Sequence, residues 1–117
     1  MVRRHWGRIV LFGGPQADQH RGFRDIPAYA AAKAGVVSLC KSAAARTEGQ
    51  NVTVNLISPG YVDTEYLDDA AREEARRRSP RGVLIQPERV ARLINELILA
   101  EEPDINGAVI TIDQGLT

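Results

Sequence analysis

The chain has 117 residues, of which 44% are hydrophobic and 26% charged, and its formal net charge is zero. That length suits a single domain over the whole chain with a modest core, and the charge balance argues against nucleic acid or an anionic membrane as partner. The lone cysteine, Cys40, excludes an internal disulfide and fits a reducing, cytoplasmic setting. No apolar run approaches the roughly 18 residues needed to span a bilayer, and the one after the basic start is too short for a secretory signal.

Arg8 to Phe12 (RIVLF) is a continuous apolar run closed by Gly13, Gly14 and Pro15, which predicts a strand buried on both faces. The polar stretch up to Pro27 predicts a loop. From Ala28 to about Glu48 the pattern is helical, with Pro27 at the entry and Gly49 at the exit. One stripe of this helix, Ala31, Gly35, Ser38, Ser42 and Ala45, is small throughout and would let another element approach closely. The neighbouring stripe carries Tyr29, Lys33, Val36, Val37 and Cys40.

A second strand is expected at NVTVNLISPG, where Val52, Val54 and Leu56 alternate before Pro59 and Gly60 break the pattern. A charged helix is expected from Thr64 to about Arg78. Glu65, Asp68 and Asp69 at its start and Arg76, Arg77 and Arg78 at its end match the helix dipole. Pro87 opens an amphipathic helix with Val90, Leu93, Ile94, Leu97 and Ile98 on one face. GAVITID, after Pro103, is the third strand. Strands alternating with helices predict parallel pairing through right-handed crossovers, hence one α/β unit.

Tyr29 and Lys33 stand four residues apart, one helical turn on a shared face. A free tyrosine has a pKa of about 10, too high for proton exchange near neutrality. A neighbouring ammonium favours the phenolate, which makes a tyrosine usable as a general acid or base. The bland alternative is a half-buried tyrosine with a lysine snorkelling beside it. Thirteen of the fifteen basic residues are arginine, so a lysine at this position stands out. His5 and His20 have no ligand cluster at metal spacing, so no metal site is expected. The stretch REEARRRSPR, with its acidic neighbours, reads as a solvated helix face rather than a phosphate patch.

Four segments, GRIVLFGG, YAAAKAGVVSL, NVTVNLISPGYVDT and ITIDQG, resemble the short-chain dehydrogenase/reductase family in order and approximate spacing. The resemblance runs from Trp6 to Gly115 and is to the C-terminal half of that domain, a partial Rossmann-like doubly wound parallel sheet of three strands with flanking helices. It implies an NAD- or NADP-dependent oxidoreductase that interconverts a ketone and a secondary alcohol by hydride transfer on a small-molecule substrate. In that case Tyr29 protonates the carbonyl oxygen, and Lys33 tunes it and holds the nicotinamide ribose. Pro59, Gly60, Val62 and Thr64 fall in the family's Pro-Gly-x-x-x-Thr segment, beside the nicotinamide and pyrophosphate. A strand-ending turn with Thr64 as N-cap is the structural alternative, and both readings can hold. Asn55 is expected to support the strand end. The region from Tyr61 to about Gly82 matches a mobile lid, with Tyr66 and Leu67 as substrate contacts. Asp113, Gln114 and Gly115 match the family's terminal turn, with glutamine in place of the commoner glycine.

Three departures qualify the resemblance. Gly13, Gly14 and Pro15 stand where the family carries its catalytic serine, and counting back from Tyr29 by the family spacing reaches Gln16, whose amide is a hydrogen-bond donor. The glycine-rich fingerprint that seats the dinucleotide pyrophosphate has no counterpart, nor does the residue that selects NAD or NADP. An asparagine that the family places on the preceding helix is missing as well. Cofactor binding and activity are therefore expected to be poor in this chain alone. The edge of RIVLF should then be bare and prone to pairing with another chain, so self-association or an N-terminal partner polypeptide is expected. The alternative is a catalytically inactive, truncated member that serves as a folding or oligomerisation module.

Overall fold

A computed structural model describes residues 1–19 and 21–116. The central strand is Val52–Pro59, here β2, buried at every position from Val52 to Ser58. Its alternation sends Val54 and Leu56 to one face and Ile57 to the other. On the first face the strand meets Cys40 and Ala44 of helix α1 (Pro27–Arg46). On the second, Ile57 meets Ile85 together with Val90 and Leu97 of helix α3 (Pro87–Leu99). Each fully buried Leu, Ile or Val contributes about 1.5–3 kcal/mol, so both faces of β2 need their helices.

Strand β1 (Gly7–Phe12) pairs in parallel with β2 from Gly7↔Val52 to Phe12↔Ile57. Strand β3 (Val109–Ile112) pairs on its other side, from Leu56↔Val109 to Pro59↔Ile112. The sheet order is β1-β2-β3, all parallel, with helices on both faces. This is the partial Rossmann-like α/β arrangement that the sequence implies. Parallel strands bring all their C-terminal ends to one rim, where β1 leads to α1 and β2 leads to helix α2 (Asp69–Arg78). No helix among the described residues is long and apolar enough to cross a membrane.

Three expectations need correction. β1 is not buried on both faces: Ile9, Val10 and Leu11 are half-buried and Phe12 is 48% exposed. The cause is its place at the sheet edge, with no described strand on its outer side. The charged helix begins at Asp69 rather than Thr64, because Asp68 is the residue that caps it, accepting from Ala71 N at 2.7 Å. Thr64 instead accepts from Leu67 N in an isolated turn, and Glu65 lies outside the helix. Finally, α1 stops at Arg46, two residues early, where the Thr47 hydroxyl bonds Ala44 O at 3.0 Å. The small stripe Ala31, Gly35, Ser38, Ser42 and Ala45 is exposed, and the stripe with Val36, Val37 and Cys40 packs on the sheet.

Two buried polar side chains fix the loops. Arg8 donates to Ala100 O at 2.9 and 3.1 Å, to Glu101 O at 2.8 Å, and to Gly7 and Asn51 carbonyls at 3.0 and 3.1 Å. Its charge thus faces the carbonyl end of α3, where a cation is favoured. Asn55 donates to Ile105 O at 2.7 Å and accepts from Ala108 N at 3.0 Å, which aligns the approach to β3. Burial also raises the pKa of the Cys40 thiol, whose Sγ lies 3.5 Å from Val54 O. On the far side, Arg72 Nε donates to Asp63 Oδ1 at 2.8 Å and ties the segment after β2 to α2. That hydrogen bond holds the Asp63 carboxyl below the usual carboxylate range.

Asn55→Ala leaves the Ile105 carbonyl and the Ala108 amide unpaired, so it should lower unfolding stability by about 2–4 kcal/mol. Urea unfolding checks this, and a loss below about 0.5 kcal/mol would contradict it. Because the pKa of Asp63 is depressed in the fold, its contribution is complete above the unfolded carboxyl value of about 4 and disappears as pH falls through the folded value. Asp63→Asn should therefore flatten the fall of Tm below about pH 4 relative to the parent. Identical acid slopes for the two proteins would contradict the assignment.

Candidate active site

The site begins where β1 ends. Gly13 N extends the pairing by donating to Ile57 O at 2.8 Å, and the Ser58 hydroxyl donates to Gly14 O. A Cβ on Gly14 would lie 2.9 Å from Tyr29 Oη and 3.2 Å from Lys33 Cγ. Gly14 is thus the strand-end residue that faces the pair, and only a bare Cα lets the phenol come so near. Sequence spacing pointed instead to Gln16, two residues farther on, because the intervening loop is long.

Tyr29 and Lys33 rise side by side from the first turns of α1. Lys33 Nζ lies 5.8 Å from the centre of the Tyr29 ring and donates to Phe12 O at 3.1 Å. The first distance is within cation–π reach; the second fixes the ammonium against the end of β1. Tyr29 is 46% exposed. Both side chains line a cavity of about 400 Å³ together with Gln16, Phe23, Tyr61 and Arg78. Phe23, Tyr61 and Arg78 were not singled out from the sequence as site residues. Tyr61 was legible in principle as the residue after Pro59-Gly60, whereas Arg78 comes from the far end of α2.

Gln16 has φ 57 and is 7% exposed, and its amide nitrogen has no hydrogen-bond partner among the described residues. Leaving such a group buried and unpaired costs about 1–3 kcal/mol. A larger cavity, about 620 Å³, lies between the 81–86 segment and the end of β3, and contains neither Tyr29 nor Lys33.

The segment after β2 is held in several ways. Gly60 N donates to Ile112 O at 3.0 Å, and a Cβ there would stand 2.9 Å from Asp113 Cα. Close packing on β3 therefore demands glycine at this position independently of any ligand. Val62 bridges Ile85, with Asp63 N donating to Ile85 O and Ile85 N to Tyr61 O. Among the described residues no hydrogen bond takes the backbone N–H of Val62 or Thr64, or the Thr64 hydroxyl. Those donors suit a carboxamide or phosphate. Pro59, Gly60, Val62 and Thr64 do not line the cavity that holds Tyr29 and Lys33, although Tyr61 between them does.

Tyr66 and Leu67 do not line the cavity either, and Tyr66 is 88% exposed. On α2, Arg77 and Arg78 pair with Glu74, and Arg76 with Glu73, as befits a solvated face. Gln114, in the terminal turn, has φ 63 and accepts from Ser79 Oγ at 3.0 Å. Among the described residues no group of three His, Cys, Asp or Glu side chains is placed to hold a metal. His20 lies outside the described residues.

A family profile described as enoyl-(acyl carrier protein) reductase matches residues 1–117. The chain is 43% identical over 91 residues to a 3-oxoacyl-[acyl-carrier-protein] reductase of Thermotoga maritima, covering 75% of this chain and 37% of that protein. It is 33% identical over 119 residues to the 3-oxoacyl-[acyl-carrier-protein] reductase MabA of Mycobacterium tuberculosis, covering 99% of this chain and 47% of the relative. The crystal structure of an actinorhodin polyketide ketoreductase variant with NADPH superposes with a TM-score of 0.83 at 27% identity, over 99% of this chain and 49% of that one. The chain thus spans about half the length of these relatives, in their C-terminal half. It belongs to the short-chain dehydrogenase/reductase family of oxidoreductases.

Proposed function

We propose that this chain is the catalytic half of an NAD(P)-dependent oxidoreductase that interconverts a ketone and a secondary alcohol on a small molecule. The supporting observation is the Tyr29–Lys33 pair, with Nζ 5.8 Å from the phenol ring, opening on a cavity at the C-terminal rim of a parallel sheet. The names of the relatives make a 3-oxoacyl compound the substrate class to try first.

The residues fit the nicotinamide end of such a cofactor. The unbonded amides of Val62 and Thr64 and the Thr64 hydroxyl would take the carboxamide and nearby phosphate, beside Pro59 and Gly60. An ammonium has three N–H groups. One is engaged at Phe12 O, which leaves two for ribose hydroxyls. The reduced nicotinamide, when bound, supplies the hydride. Tyr29 Oη delivers the proton to the carbonyl oxygen, and Lys33 holds positive charge beside the phenolate that remains.

Among the described residues the adenine end finds no comparable seat. After Gly13 and Gly14 the chain runs through Pro15 and successive turns before α1 starts at Pro27, so β1 does not open directly into a helix N-terminus. The outer edge of β1, with Trp6 and Phe12 each 48% exposed, is the surface on which an N-terminal glycine-rich half, or a second copy, would add a strand. The chain is one domain that needs this complement for turnover. The same edge favours a second reading, an inactive member that acts as a folding or oligomerisation module, and the two diverge on catalysis.

Light scattering after size exclusion should give a mass above the monomer's 12.8 kDa, or a complex with an added N-terminal half. A clean monomer that ignores such a half would contradict the edge assignment. In the complemented protein, Tyr29→Phe should cut reduction of a 3-oxoacyl substrate by at least about 100-fold while cofactor affinity stays within about twofold. Turnover that survives this change removes Tyr29 from the acid role, and no turnover in the parent favours the module reading.

A further inference from the structure

We propose that the carboxamide of Gln16 is the donor that binds and orients the substrate's carbonyl oxygen beside Tyr29, in place of a strand-end hydroxyl. This rests on the catalytic reading above and adds a residue to it. The position facing the Tyr29 hydroxyl is Gly14, which offers no side-chain donor. A carbonyl at Tyr29 therefore needs its second hydrogen bond from elsewhere on the cavity wall, and Gln16 is the wall's only carboxamide among the described residues.

The backbone makes the case stronger. Ala17 N donates to Gly14 O at 3.0 Å, closing a four-residue turn with Pro15 second and Gln16 third. Proline second and a positive φ third is the type II arrangement, whose third position favours glycine. Gln16 occupies it at φ 57, so a side chain is kept where its absence would relieve the backbone. Gln114 is the informative contrast. It too holds a left-handed backbone, at φ 63, but its amide oxygen is engaged by Ser79 Oγ. Gln16 is 7% exposed and its amide nitrogen donates to no described residue. The terminal torsion of a glutamine is broad and two-fold, so the amide can turn to the cavity without giving up a hydrogen bond from that nitrogen. Neutral donors, the Gln16 amide and the Tyr61 hydroxyl, suit the task better than the arginines on the wall, and of the two only Gln16 brings a buried, unpartnered nitrogen. It polarises a ketone and leaves the transferred proton to Tyr29.

The test uses the isotope-labelled full chain and ethyl 3-oxobutanoate as probe, with the Gln16 side-chain NH2 signals assigned by their loss in Gln16→Met. This variant keeps length and apolar packing but has no donor. The expected result is a saturable shift of the Gln16 NH2 signals on titration, with binding weakened about five- to tenfold in Gln16→Met, the worth of one neutral hydrogen bond. Signals of Tyr29 and Lys33 that shift while the Gln16 NH2 pair stays still, with Gln16→Met binding as the parent does, would overturn the assignment and spare the catalytic reading. No shift at any cavity residue would overturn this assignment, and the catalytic reading is then decided by Tyr29→Phe in the complemented protein.

Discussion

The hydrogen bond from Lys33 Nζ to the carbonyl of Phe12 joins the first turns of α1 to the last residue of β1, and the geometry of the site depends on that joint. The lysine side chain crosses from helix to strand past Gly14, which carries nothing that would stand in its way. Gly13 and Gly14 let β2 and the Tyr29 ring approach, with virtual Cβ distances of 2.8 Å to Leu56 and 2.9 Å to the phenol oxygen. A Cβ at Gly14 would force the Tyr29 ring and the Lys33 stem to shift, and one at Gly13 would press on Leu56 and Ser58 of β2. The pair is therefore a consequence of packing at the strand end.

The joint in turn depends on β2. Its position in the middle of the sheet, buried on both faces, sets the level at which β1 and β3 end and places their carbonyl ends on one rim. Buried polar groups then set the connections. Arg8 gathers the carbonyls beyond α3, and Asn55 gathers both sides of the 105–108 segment. Neither touches the cavity. They hold the frame that the cavity residues rely on, which is why a charged and an amide side chain can be buried inside so small a fold.

Much of this was legible in the chain. The parallel α/β order followed from apolar strands separated by proline-opened helices, and the shared face of Tyr29 and Lys33 followed from their spacing. Asn55 was expected to support the end of its strand; it lies in mid-strand and holds the 105–108 segment that leads into β3. What escaped the sequence depended on tertiary context. β1 reads as a fully buried strand because its residues are apolar, but burial belongs to neighbours, and its outer side has none among the described residues. The start of α2 was misplaced because Thr64 and Asp68 are both good caps, and the choice was made by the turn that Thr64 enters and by the Arg72–Asp63 contact. The cavity wall was hidden because Phe23, Tyr61 and Arg78 come from three separate segments. The left-handed backbone of Gln16 has no sequence signal at all, since glycine is the residue that advertises such a turn.

The central claim is that this half of the fold holds the nicotinamide end of a dinucleotide beside Tyr29. It is tested most directly by titrating nicotinamide mononucleotide into the isotope-labelled chain and recording its backbone amide spectrum. The account predicts saturable shifts at Val62 and Thr64, accompanied by shifts near Lys33 and Tyr29. Shifts confined to other surfaces, or none at these four residues at saturating ligand, would contradict it.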